Sequence, residues 1–136
     1  MLMRVLFLAG GLMLSACSQG SPPAPKAEPV RSAAYVQGFN KGSADATAKL
    51  KAGKILMFGF GMQPDWMVEI YASEFAKFGA DYEPFGHSSS DDLEGYVVAF
   101  NGLMAKALAA KHGPDAIATI QARVVKRLDA AEAQRR

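Results

Sequence analysis

Among 136 residues the chain has one cysteine, two histidines and one tryptophan. A single cysteine excludes an internal disulfide, a cysteine-based zinc site and an iron–sulfur cluster. His87 and His112 are too few and too far apart in sequence to argue for zinc. No calcium loop of the EF-hand pattern occurs, so no metal is expected. The net charge of +2 lacks the basic excess of a nucleic-acid binder, so no nucleic-acid partner is expected. No period of about 20–50 residues repeats, which argues against a solenoid. Long apolar runs are missing too. The longest, Val5 to Leu14, has ten residues and would span roughly 15 Å as a helix, about half of a hydrocarbon core. It is too short to cross a membrane.

That short run has another reading. Arg4 precedes it, and the small residues Ser15 and Ala16 follow it. A positive start, a brief apolar segment and small residues before a cut describe a secretory signal peptide over residues 1–16. Its end is more specific. Leu14-Ser15-Ala16-Cys17 resembles the lipobox of bacterial lipoproteins, and all four positions match. The resemblance covers residues 1–17 alone. It implies a diacylglyceryl thioether on Cys17, cleavage between Ala16 and Cys17, and an acyl chain such as palmitate on the new amino terminus. No cofactor other than these lipids is expected. One acyl chain anchors only marginally, whereas two or three make release from the membrane negligible. Ser18 stands next to Cys17 where an aspartate would signal inner-membrane retention. The resemblance therefore implies a cell-envelope protein in the periplasmic leaflet of the outer membrane.

Residues 17–34 hold four of the seven prolines, and only 6 of these 18 residues are apolar. Such a stretch cannot bury a core and reads as an extended tether, reaching at most about 50 Å from the membrane. Residues 35–136 are different. Fifty of these 102 residues are apolar, enough for the core of one small periplasmic domain.

Within that domain the patterns predict a helix-rich α+β fold with an N-terminal helix, one small βαβ unit and a C-terminal αα-hairpin. Tyr35, Val36, Phe39, Ala46 and Leu50 fall on one helical face, and Gly38, Gly42 and Ala46 allow close packing. The run 54–60, closed by glycines, reads as a buried strand. Pro64 suits the first turn of a helix to about Lys77, whose inward stripe is Met67, Ile70, Tyr71, Glu74 and Phe78. Residues 80–85 alternate as a second strand, which Pro84 confines to a sheet edge. Ser89 with Asp92, or Asp91 with Glu94, can cap the helix that follows. Leu93, Tyr96, Val97, Phe100, Leu103, Met104, Ala107 and Leu108 make its stripe. Gly113 and Pro114 break it, and Ile117, Ile120, Val124, Val125 and Leu128 repeat the pattern. The tail beyond Ala130 is expected to fray.

Charge is unevenly spread. Residues 65–94 hold eight acids against Lys77 alone, a net −7, between flanks of +4 at 26–54 and +4 at 106–136. An acidic face would attract a cationic partner, although several of these acids also suit helix N-termini. A parallel βαβ unit brings the carboxyl ends of its strands to one edge, where α/β ligands commonly bind. That edge would collect Phe60, Met62, Asp65, Trp66, Phe85, His87, Ser88 and Asp91 as the candidate binding surface. His87 beside serines and aspartates supplies the residue types of a hydrolytic triad. Neighbours in sequence cannot generally arrange themselves around one imidazole, and no Gly-x-Ser-x-Gly elbow occurs, so an enzyme is not expected. Gly59-Phe60-Gly61 matches half of a dinucleotide fingerprint, but Pro64 takes the third glycine position, and Asp65 and Glu69 would repel phosphate.

The expectation is a lipid-anchored envelope protein whose small domain binds another periplasmic protein, as an accessory component or an inhibitor of the immunity type. The alternative is a binder of a small ligand or cell-wall fragment at the 60–66/85–91 edge. Oligomeric state is left open.

Overall fold

The computed structural model describes residues 30–86 and 90–135. The signal peptide, Cys17, most of the tether, and His87, Ser88 and Ser89 lie outside the described residues. In chain order the elements are α1 (Ala33–Lys51), β1 (Leu56–Phe60), α2 (Asp65–Ala76), β2 (Asp81–Phe85), α3 (Asp91–His112) and α4 (Ala116–Ala133). This is the expected helix-rich α+β order, with the βαβ unit in the middle and the αα-hairpin at the end. Helix α1 begins at Ala33, inside the segment read as tether, because the Ser32 hydroxyl accepts the Tyr35 N–H at 3.1 Å and caps it.

β1 and β2 pair in parallel, from Leu56 opposite Asp81 to Phe60 opposite Phe85. Two strands leave two outer edges, and each is managed differently. On β1 the Asn101 side chain acts as a third strand. Its Oδ1 accepts the Phe58 N–H, and its Nδ2 donates to the Phe58 carbonyl, both at 2.9 Å. On β2 the Asp81 N–H donates to the Ile55 carbonyl, so residues 81, 83 and 85 point their backbone groups toward β1. Pro84 then faces outward, where its missing N–H leaves no donor unpaired.

Two apolar clusters cover the two sheet faces. On one, Ile70 and Phe75 of α2 meet Leu108 of α3 and Ile120 and Val124 of α4. On the other, Ala46 of α1 meets Leu56, Phe100 and Met104. The expected stripes mostly hold, with three corrections. Phe75, absent from the expected α2 stripe, is buried, because α2 turns its Ile70–Glu74–Phe75 side inward. Val125 is 55% exposed, because α4 buries its Ile120–Val124 side. On α1 the inward face is Gly38, Gly42 and Ala46, which leaves Val36 and Phe39 exposed.

The cause of that last change is backbone contact. A Cβ at Gly42 would overlap the Tyr96 carbonyl oxygen and stand 2.9 Å from the Tyr96 Cα. A Cβ at Gly38 would overlap the Asp92 carbonyl, and one at Gly95 the Tyr35 carbonyl. The contacts rise together along both chains, so α1 and α3 run parallel with their backbones touching. Large side chains on α1 cannot enter that seam.

Glu74 is the one buried charged residue among those described, at 1% exposure. Its Oε1 receives Lys77 Nζ at 2.5 Å and Arg127 Nη1 at 2.8 Å, while Ser73 also bonds Arg127. Those cations, Lys77 first, hold the carboxyl below its ordinary value against the opposing effect of burial. The ion pair ties α2 to α4.

Candidate functional site

The parallel sheet decides what meets at its carboxyl end. α2 leaves β1 there and α3 leaves β2 there. α1 starts there too, since it runs parallel to α3 and the Ser32 hydroxyl donates to the Asp91 carboxylate at 2.5 Å. α4 returns to the same end, where Arg135 lies over the Trp66 ring, 3.9 Å from guanidinium carbon to ring centroid. The tail past Ala130 is therefore helical to Ala133 and packed, not frayed. A cation on the indole face gives it a reason to stay.

Three helix N-termini at one end concentrate positive dipole ends, and the acids of that end offset them. Asp65 stands in the first turn of α2, and Asp91, Asp92 and Glu94 in that of α3. The N-cap position of α3 is Ser90, with no side-chain bond to the helix backbone, so the expected Asp91–Glu94 capping box does not form, and the Ser89–Asp92 one falls outside the described residues. The Ser90 hydroxyl instead bonds the Asp92 carboxylate. That bond, with the backbone N–H groups of Leu93 and Asp92, holds its carboxyl below the usual range. Pro64 takes the N-cap of α2, one position earlier than expected, and its carbonyl accepts the Met67 and Val68 N–H groups.

Of the expected surface residues, Phe60, Met62, Asp65, Trp66, Phe85 and Asp91 do lie at this end, while His87 and Ser88 fall outside the described residues. They do not converge on one pocket. Phe60 is 46% exposed and borders a groove with Glu94, Val97 and Val98. Met62 is 79% exposed at the β1–α2 turn, where Gly61 adopts φ +91°. Phe85, its register partner, borders a different groove. It stacks on Tyr96 at 5.5 Å and tilts against Phe58 at 4.8 Å. There it helps line a cleft of about 440 Å³ with Gln37, Lys41, Asp92 and Leu93. Trp66 is partly buried against the α2–α4 core.

Tyr96 is a functional-site candidate that the sequence reading placed only in the core. Its hydroxyl donates to Asp45 Oδ2 at 3.0 Å, which also receives Lys41 Nζ at 2.6 Å. Burial, and then the Asp45 carboxylate, push the phenol up to about 12. It is a fixed neutral donor at neutral pH, not a base.

Charge supplies the sharper pattern. Of the eight acids between 65 and 94, Glu74 is internally paired. The other seven, Asp65, Glu69, Asp81, Glu83, Asp91, Asp92 and Glu94, form no ion pair among the described residues. Four of the seven sit in the first turns of α2 and α3. Among the described residues no group of three or more His, Cys, Asp or Glu side chains is placed to hold a metal. His112, the described histidine, bonds the Phe78 carbonyl at 2.8 Å and meets the Phe78 ring edge-on, a brace between the end of α3 and the α2–β2 turn.

No described helix is long and apolar enough to cross a membrane. No protein-family description, curated protein or solved structure matches this chain.

Proposed function

We propose that the chain is a lipid-anchored cell-envelope lipoprotein whose small domain docks a periplasmic protein through the carboxyl end of its sheet. The observation that carries this reading is the combination of unpaired carboxylates and exposed apolar side chains at that end. Asp65, Asp91, Asp92 and Glu94 lack ion pairs among the described residues, and Phe60 and Met62 stand exposed beside them. An apolar centre rimmed by charge of one sign suits a partner with an apolar contact and a basic surround. The tether suits presentation. The described chain starts at Val30, fully exposed and next to the α1 N-terminus, so the docking end is also the end at which the tether attaches.

Two experiments test the two halves of the proposal. Metabolic acyl labelling should mark the wild-type chain and fail in Cys17→Ser. Labelling retained in that variant would overturn the lipid anchor. For docking, a photo-crosslinker at Met62 should trap one discrete periplasmic partner in cells. The triple change Asp65→Asn, Asp91→Asn, Glu94→Gln should abolish that adduct. An absent adduct, or one indifferent to the charge change, would refute docking at this end.

A further inference from the structure

We infer that a second site, which adjoins the docking end at Phe60, takes a neutral small molecule bearing an acetamido group, of the class of N-acetylated sugars. It is a cleft of about 250 Å³ between β1, α2, α3 and α4. No charged side chain lines it. Carboxylates and phosphates would find no cation there, and amines no anion, so a charged ligand would lose its hydration without compensation.

The walls and the polar groups say more. Tyr82 stacks on Tyr71 at 4.8 Å and on Phe75 at 5.5 Å, its ring nearly parallel to both. This aromatic stack can face the apolar side of a ring. Gly59 makes space for it. A Cβ there would overlap the Tyr82 hydroxyl, which explains a glycine inside a strand of bulky residues. The Tyr82 hydroxyl donates to Gln63 Oε1 at 2.7 Å, which fixes the Gln63 amide and leaves its Nε2 group to donate. The Gln121 amide makes no hydrogen bond within the described residues. Asn101 is committed to Phe58 on both of its functional atoms and serves as rigid wall. Two side-chain amides with unused donors beside an aromatic stack, and no net charge, match a carbonyl acceptor on a neutral ring. An acetamido group supplies that carbonyl, and its methyl group suits the apolar floor of Ile120 and Val124.

The site does not rest on the docking proposal. A failed crosslink at Met62 leaves it standing, and its own failure leaves docking intact. The test is saturation-transfer difference NMR on the acylated mature protein in detergent, with N-acetylglucosamine as probe. A ligand of about 15 non-hydrogen atoms at ordinary efficiency binds with a Kd of about 1 mM. Saturable transfer in that range is expected, strongest at the acetyl methyl. Glucosamine, which is cationic and lacks the acetyl group, should give none. Gln121→Leu changes an exposed side chain and so leaves folding intact. It should weaken binding about fivefold, the effect of one lost hydrogen bond. Non-saturable transfer, equal transfer to glucosamine, or an affinity unchanged by Gln121→Leu would each overturn the inference.

Discussion

Replacing Gly42 with alanine tests the α1–α3 seam most directly. The new methyl carbon would overlap the Tyr96 carbonyl oxygen and lie 2.9 Å from the Tyr96 Cα. Carbon–carbon contacts settle at about 3.5–4.0 Å, so the helices must separate by roughly 1 Å. The obstacle is backbone on both sides, and no side chain can rotate out of the way. Overpacking of this kind sits at the upper end of the usual penalty, about 3 kcal/mol. Alanine returns about 1 kcal/mol in helix propensity, leaving a net loss of about 2 kcal/mol. For a domain of this size that lowers Tm by roughly 8–16 °C. Gly102, on α3, is the control. It has open space where its Cβ would be, so Gly102→Ala should keep the propensity gain and raise Tm by about 4–8 °C. Thermal unfolding followed by circular dichroism reads both. The two changes are chemically identical and differ only in what the methyl meets. A Gly42→Ala variant as stable as the wild type, or more so, would refute backbone contact between α1 and α3.

Other predictions follow from single contacts. Glu74 has its carboxyl held below the ordinary value of 4.5, so it stabilises the fold above that pH, and the stability is lost as pH falls through its lowered folded value. Glu74→Gln should cost about 1–2 kcal/mol at pH 7, moderated because Lys77 and Arg127 are about half exposed and can rehydrate. It should also flatten the acid limb of a stability–pH profile below the ordinary value of 4.5; an unchanged limb would remove Glu74 from the acid response. Asn101→Leu leaves the Phe58 N–H and carbonyl without partners. A stability loss of about 1–3 kcal/mol by denaturant titration is expected, with concentration-dependent aggregation through the opened β1 edge. Arg135→Ala uncovers the Trp66 ring, so the emission of the one tryptophan should shift to the red with Tm nearly unchanged. Unaltered emission would mean the tail does not pack there.

Much of the fold was legible because its signals are local. The βαβ unit could be read from a glycine-closed apolar run, a proline at a helix start and an alternating segment whose Pro84 demanded an edge. Each is a backbone rule that needs no knowledge of neighbours. The α3 stripe was legible for the same reason, since Val97, Phe100, Met104 and Leu108 keep helical spacing and are all buried. On α1 the same counting misled. Val36 and Phe39 have the right period, yet the side that buries is Gly38, Gly42 and Ala46, because the α1 and α3 backbones come so close that large side chains cannot enter between them. Periodicity of large residues cannot register that choice. The glycine spacing pointed to it, though it did not say against what.

The candidate surface divided along the same line. Order along the chain and the parallel pairing brought Phe60, Asp65, Phe85 and Asp91 to one end, as the sequence led one to expect. Phe60 and Phe85 are register partners on one sheet face, and the α3 side chains between them give each a different groove: Phe60 meets Glu94, Val97 and Val98, whereas Phe85 meets Tyr96 and Leu93. Tyr96, Arg135 and the Gln63–Gln121 cleft depend on residues 19–69 positions apart, such as Tyr82 with Gln63 and Arg135 with Trp66. Nothing local marks such pairs except Gly59, a small residue where a strand wants bulk.

By itself the amino-acid order held the lipobox-like Leu14–Cys17 tetrapeptide, the proline-rich stretch after it, the order of elements and the −7 segment between two positive flanks, since all of these are properties of neighbours along the chain. Only the tertiary structure decided that Glu74 would be neutralised inside while the seven other acids of that segment have no ion pair among the described residues, and that Asn101 would seal a strand. Charge compensation and edge protection depend on distances across the fold, which sequence order leaves free.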